Sequence, residues 1–370
     1  MGKTALFLAG GAPNMTLVSG ALLALHEEWV EKRGQKFDII TMAGAGAVIG
    51  LMYLCPKGLT QKQALYNTMN FGVSDLIYSM LPINYKVFAK SGPSAQAFMA
   101  YWYSLPEVQA ATHQYGMTPA QKLYADWILF LGSALCPTDL NYFDAGYCDH
   151  PAYVSEFIDF CQVPHIEPYI EVNAFRLDGP EDMRGPCDFR KHEITVEHLR
   201  GALAFPFIYP PYRIGEYHYF EGAAFQVVNP LNLPEGTKMT DIDNFIVLNP
   251  MHRKFISYPR NIWDAYAQSV MMPLAALAEY GLDQIQDEFR QAMQAIVGNR
   301  EPLGLLEGKD IRIPVYLLPH LCGTKRWKQA RFDKFVPEER VPYVFDWTRS
   351  NMEFLFCAGY EAGKELASQL

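Results

Sequence analysis

What this sequence lacks narrows it quickly. It has no excess of basic residues: 31 Lys and Arg stand against 40 Asp and Glu. The resulting net charge of −9, with a pI near 5.5, argues against broad electrostatic binding to nucleic acid. No uninterrupted apolar run of about 18 residues or more marks a membrane span. The seven cysteines (Cys55, Cys136, Cys148, Cys161, Cys187, Cys322 and Cys357) are dispersed, without a Cys-x-x-Cys pair or a zinc spacing. The nine histidines form no His-x-His or His-x-x-x-His pattern, so no metal is expected. Gly10-Gly11 lacks both the P-loop lysine and the full dinucleotide fingerprint, so no nucleotide cofactor is expected either. There is no internal repeat and no low-complexity tract. The first residues enter an apolar strand without a basic region or cleavage site. Met1-Gly2-Lys3-Thr4-Ala5-Leu6 also lacks the Ser or Thr that myristoylation wants at the sixth position. With the odd, scattered cysteines, this sets the expectation of a reducing cytoplasm.

The most telling absence is one side chain. The segment FDIITMAGAGAVIG, Phe37 to Gly50, reads as a buried strand turning sharply into a helix. In a serine-hydrolase elbow the pattern is Gly-x-Ser-x-Gly, and the strained turn lifts the hydroxyl above the sheet. Here Met42 replaces the first glycine, Gly44 replaces the serine, and Gly46 keeps the last glycine. The frame of a nucleophile elbow is present, but glycine has nothing with which to attack.

What is present fits one sizeable globular unit. The 370 residues are 50% hydrophobic and 14% aromatic, ample for a large core. Residues 5–55 read as strand, helix, strand, helix, the unit of a right-handed parallel crossover. Residues 60–135 carry helical spacing and many aromatics, from Tyr66 and Phe71 to Trp127 and Phe130. They read as an inserted, lid-like helical region over the mouth of the sheet. Ordinary core is the alternative reading of that stripe, and a pocket wall the functional one. Residues 136–165 read as an irregular connection and 168–176 as a strand. Arg176 to Lys191 is expected to be a turn-rich hairpin, and Thr195–Leu203 a short helix. Phe245–Asn249 and Ile313–Leu318 are expected as strands, Asn261–Met293 and Thr348–Leu370 as amphipathic helices. Lys325, Arg326, Lys328 and Arg331 form a local basic patch, read as a solvated face.

Three segments together resemble the patatin-like phospholipases. ALFLAGGAPNMTLVSGALLAL, residues 5–25, is similar to the family's GGGxRG element and the helix after it. Gly10 and Gly11 are kept, while Ala12, Asn14 and Met15 replace the third Gly, the Arg and the next Gly. Met42 to Ala47 aligns with the family's GTSAGA elbow. Residues 202–230, ALAFPFIYPPYRIGEYHYFEGAAFQVVNP, resemble its Ile-Gly turn, Asp-Gly-Gly or Asp-Gly-Ala, and Asn-x-Pro. Glu221 stands at the Asp, followed by Gly222, Ala223 and Asn229-Pro230. Asn261–Glu279 and Phe345–Lys364 resemble the C-terminal region of relatives of polyhydroxybutyrate depolymerases. The resemblance implies a three-layer α/β/α sandwich on a mostly parallel sheet, as one domain over 1–370, with residues 310–370 packed on it as a C-terminal extension. It implies an oxyanion site at Gly10, Gly11 and Ala12, a degenerate Ser/Asp dyad at Gly44 and Glu221, and a pocket near Met15, Met42 and Gly222. Bulk at Met15 would crowd the oxyanion site.

Glu221 is one methylene longer than Asp, and Gly44 has lost its side chain, so the longer arm can reach into the vacated space. In an apolar pocket such a carboxyl has a raised pKa and can act as general acid or base. Thr41, Ser19 and Cys55 have no evident base beside them and read as structural. His192 and His198 lie only loosely near the Glu221 segment. His218, three residues before Glu221, could point to the opposite face of its strand. Three readings stay open. The protein holds an apolar or acyl ligand without turnover; or it is an enzyme using Glu221 to move a proton or activate water; or it is an acyl-ester hydrolase whose nucleophile was removed by mutation. Contact with a membrane surface is compatible with all three, and the oligomeric state is left open.

Overall fold

The computed structural model describes residues 2–141, 143–297, 304–308, 311–315 and 326–370. Eight strands form the central sheet: β1 (Lys3–Leu8), β2 (Ile39–Met42), β3 (Tyr169–Arg176), β4 (Gly185–Arg190), β5 (Tyr212–Ile214), β6 (Tyr217–Glu221), β7 (Ile242–Leu248) and β8 (Arg326–Gln329). Their order is β8-β7-β1-β2-β3-β6-β5, with β4 paired to β3 outside that path. From β8 to β3 every pairing is parallel. The hairpin strands β4, β5 and β6 join antiparallel.

Alternation along β1 divides the core. Leu6 and Leu8 point into one apolar cluster, Ala5 and Phe7 into another on the opposite face. The first face carries the helices α1 (Met15–Leu25), α2 (Ala45–Leu54) and α8 (Val196–Ala202), and, packed on α1, α10 (Arg349–Ser368). The second face is covered by the long helix α9 (Ile262–Val297), through Met271, Leu274, Ala278 and Leu282. Two helical layers therefore enclose a mostly parallel sheet. α1 and α10 touch backbone to backbone: a Cβ on Gly20 would overlap the Phe356 carbonyl, and one on Gly359 the Leu17 carbonyl.

Between β2 and β3 the chain forms α3 (Gln61–Asn67), α4 (Asp75–Met80), α5 (Pro93–Ser104), α6 (Pro106–Thr112) and α7 (Pro119–Leu135). α3 and α7 each begin with a Thr–Gln capping box, at Thr60/Gln63 and Thr118/Gln121. Val73, Ile77, Tyr85, Val108 and Leu129 make a separate small core here. A buried ionic network fastens this region to the start of α10. Lys86 Nζ lies 2.7 Å from Asp126 Oδ1, both side chains being fully buried, and Arg349 Nη2 donates to Asp126 Oδ2 at 2.8 Å. Lys86 also donates to the carbonyls of Asn70 and Gly72. Burial pushes the Lys86 ammonium down to about 8, with Asp126 acting against that shift.

The expected strands and helices fall close to these positions, with two differences. Arg326 and Lys328 of the basic patch, expected on a solvated loop or helix face, lie in β8 at the edge of the sheet. Ile313–Leu318 lies partly outside the described residues. Its described part, within Ile311–Val315, pairs in a separate hairpin with Gly304–Gly308 and not in the main sheet. Cys322 and Lys325 lie outside the described residues.

Candidate functional site

Three glycine-bearing turns meet at the carboxyl ends of β1 and β2, where parallel sheets place their ligands. β1 runs into Gly10-Gly11, β2 runs into Ala43-Gly44, and β6 ends at Glu221 before the turn Gly222–Ala224. Ala223 sits between the first two. A Cβ placed on Gly10 would come 2.8 Å from Ala223 Cβ, and one on Gly44 would come 3.0 Å from it.

Gly44 is the N-cap of α2, with φ 46° and ψ −125°. An L residue there is strained, and such strain is characteristic of a nucleophile elbow. The turn is held by Gly46 N–H donating to the Ala43 carbonyl at 2.8 Å and Ala47 N–H to the Gly44 carbonyl at 2.9 Å. The backbone conformation of an elbow is thus present at a glycine, which adopts it without strain.

The Glu221 carboxyl occupies that space. A Cβ on Gly44 would overlap Glu221 Oε1 and lie 3.0 Å from Glu221 Cδ. The Glu221 backbone is fixed by pairing with Ala174 and by its N–H donating to the Ala204 carbonyl at 2.9 Å. Among the described residues its carboxyl makes no hydrogen bond and has no ion-pair partner. The residue is half-buried, and it lines a cavity that is partly open to solvent. Burial pushes its pKa up to about 8, with no neighbouring cation to oppose the shift. At neutral pH the protonated, neutral form of Glu221 is therefore favoured.

The cavity measures about 300 Å³. Gly11, Ala12, Met15 and Ala45 line it beside Glu221. The Gly11 and Ala12 amides have no hydrogen-bond partner among the described residues, whereas Gly10 N–H is bonded to the Val227 carbonyl at 3.1 Å. Of the three residues expected to bind an anion, two thus retain a free donor. Met15 lines the cavity as expected. Met42 and Gly222, expected beside it, lie elsewhere: the Met42 thioether is packed under Gly50, and Gly222 closes on Asn173, on the opposite face of β3 from Ala174.

The aromatic-rich stretch contributes less wall than its composition suggests. Phe71, Tyr78, Ile83, Val87 and Phe88 line the cavity, while nothing from α5, α6 or α7 does. Those helices use their aromatics on one another, as in the stacked pair Phe98–Trp102. The rest of the wall was not foreseen. α9 supplies Tyr266, Ala267, Val270, Met271 and Leu274, a helical stripe legible from its spacing. Tyr147, Cys148 and His150 come from the connection read as irregular, where no periodicity announces them. His150 stacks on Tyr209 with centroids 4.0 Å apart, and burial, with Arg200 nearby, pushes its pKa down to about 3. Burial also lifts the Cys148 thiol to about 12. At neutral pH, Glu221, His150 and Cys148 are all mostly uncharged.

The other nucleophiles and bases are engaged elsewhere. Thr41 donates to the Asn229 carbonyl, Ser19 to the Met15 carbonyl, and burial raises the Cys55 thiol to about 12. His218 pairs with Asp178 at 2.6 Å, away from the cavity, and His198 packs edge-on to Phe189. His192 is exposed.

The family pattern of patatin-like phospholipases matches residues 6–234. This chain belongs to that family. Among solved structures it is similar to VipD from Legionella pneumophila, with 12% identity, a TM-score of 0.38, and coverage of 100% of this chain and 67% of that one. It is also similar to the ExoU–SpcU complex from Pseudomonas aeruginosa, with 14% identity, a TM-score of 0.25, and coverage of 79% and 57%. A comparison with curated proteins finds no match. No described helix is long and apolar enough to cross a membrane.

Proposed function

We propose that this protein is a patatin-like binder of an apolar acyl ligand that has dispensed with the seryl nucleophile and uses Glu221 as acid or base. The observation that carries the reading is the position of the Glu221 carboxyl, in the space a side chain on Gly44 would fill and at the end of a mainly apolar cavity. An acyl chain fits the wall of Phe71, Phe88, Val270 and Leu274. Its carbonyl or carboxyl head lies toward the free amides of Gly11 and Ala12, with protonated Glu221 as a further donor. A neutral pocket of this kind disfavours permanently charged ligands, whose desolvation nothing there offsets. Mass spectrometry of what co-purifies with the folded protein tests this. A stoichiometric fatty acid, ester or similar apolar metabolite is expected, and a clean apo protein that also fails to retain added octanoate refutes it.

A second reading keeps a specific observation on its side. The backbone of Gly44 retains an elbow conformation, as it would in a hydrolase whose serine had been removed by mutation. Against it stand Met15, Asn14, Met42 and Glu221, four departures that a single mutation does not explain. Restoration of rapid ester hydrolysis by Gly44→Ser alone would favour this second reading.

A further inference from the structure

We propose that Glu221 is itself a covalent nucleophile, attacking an acyl thioester to form an acyl–glutamyl anhydride. The inference rests on the reading that the cavity takes an acyl ligand. It adds a reaction that the acid–base role does not contain.

The geometry supplies three parts. The first is placement: Glu221 Oε1 occupies the site where a seryl side chain on Gly44 would begin, so an acyl carbon brought to the elbow meets a carboxylate oxygen instead of a hydroxyl. The second is freedom: no hydrogen bond or ion pair among the described residues holds that carboxyl, and it faces the cavity. The third is charge stabilisation: Gly11 and Ala12, whose amides have no hydrogen-bond partner among the described residues, line the same cavity as Glu221, and unpaired amides are the donors that the oxygen of a tetrahedral intermediate needs. Carboxylates do serve as covalent nucleophiles when they are desolvated and positioned.

The bonds balance without an oxidant or a metal. A lone pair of ionised Glu221 forms a C–O bond to the acyl carbon, and the carbonyl pair moves onto oxygen. Its return breaks the C–S bond, and the thiolate leaves and is protonated by solvent. Water then adds to the acyl carbon and the C–O bond to Glu221 breaks, giving the free acid and regenerating the carboxylate.

Leaving-group chemistry selects the substrate class. The intermediate goes forward only if the departing group is no worse a leaving group than Glu221 itself. A thiol, with pKa of about 8.5, is matched to a carboxyl whose burial raises it to about 8. An alkoxide, whose parent alcohol is roughly as weak an acid as water at about 15.7, is not. Simple alkyl esters would return to substrate.

The experiment uses the full chain with octanoyl-N-acetylcysteamine thioester, with and without hydroxylamine. Expected are thiol release that rises as pH passes about 8 and is not accelerated by hydroxylamine, and diversion of the product from octanoate to octanoyl hydroxamate, hydroxylamine taking the place of water at the acyl carbon; any attack at the Glu221 carbonyl instead leaves a hydroxamate on Glu221, located by peptide mass mapping. Glu221→Gln should cut thiol release by at least about a hundredfold while octanoate is still retained. Four results are decisive. Thiol release unchanged in Glu221→Gln, or turnover in which hydroxylamine diverts no product to octanoyl hydroxamate and leaves no hydroxamate at Glu221, overturns the covalent role and leaves the binding reading intact. The same holds if octanoate is retained but no thioester is cleaved. Failure to retain octanoate overturns both.

Discussion

Gly44 and Glu221 share one volume: the carboxyl oxygen of the second stands where the first side-chain atom of any other residue at 44 would be. Gly44→Ser alone therefore has to displace Glu221 and also take up a φ of 46°. We expect a loss of about 1–3 kcal/mol in stability and no labelling of the elbow by a fluorophosphonate. The double variant Gly44→Ser/Glu221→Asp shortens the intruding arm and should recover part of that stability. Denaturant melts of both variants, read beside the labelling, check this, and strong labelling of the single variant would contradict it.

The pH dependence of stability has a definite sign. The carboxyls of Glu221 and Glu171 are raised by burial to about 8 and about 7, against an ordinary value of 4.5. Both are protonated in the folded chain where they would be ionised in the unfolded one. Their contribution is complete below about 4.5 and is lost as pH rises through 7 and then 8. Glu221→Gln should therefore become more stable than the parent protein above pH 8, with the difference shrinking toward pH 5. Urea melts from pH 5 to 9 that run parallel for the two proteins would reject this.

Asp126 is the acceptor for two cations, Lys86 and Arg349, in a fully buried setting. Removing it leaves both uncompensated. Asp126→Ala is expected to cost about 3–5 kcal/mol, whereas Lys86→Met, which removes one buried charge and keeps the Asp126–Arg349 pair, should cost less. Equal losses in calorimetry would show that packing, not charge compensation, dominates.

Cavity volume should set ligand retention. Ala267→Trp on α9 places bulk in the cavity and should lower retention of the bound acyl ligand at least tenfold. Phe98→Ala, on a helix that contributes nothing to the lining, should leave retention unchanged. Native mass spectrometry of the two variants makes the comparison directly.

The fold was legible because local pattern and global topology agree at the glycine turns. An apolar strand running into Gly10-Gly11 and another into Ala43-Gly44 leave little choice but a parallel pair with helices above. The meeting of Gly44 and Glu221 was legible too, since a glycine at 44 leaves space at the turn and a glutamate has an arm one methylene longer than an aspartate. Met42 was misplaced because a strand residue next to a turn can face either side, and only the register of β2 with β1 and β3 sends it under Gly50. The wall of the cavity was the least legible part. Aromatics from Phe98 to Phe130 look identical in sequence whether they line a pocket or pack on one another. His150 and Cys148 reach the cavity through an irregular connection whose path no periodicity records.

The glycine contact between α1 and α10 has a consequence for how the site comes into being. Arg33, beyond the end of α1, donates to the carbonyl of Ala367, 334 residues further along the chain. The helix that carries Met15 into the cavity is flanked by a partner synthesised more than 300 residues later, as the 334-residue separation of Arg33 and Ala367 records. Loop closure over such a separation is slow to form and late to be rewarded. During translation the glycine turns can assemble, yet the apolar face of α1 stays uncovered until α10 docks. A nascent chain held short of α10 would present that face to chaperones, and one in which α10 has emerged and docked would not.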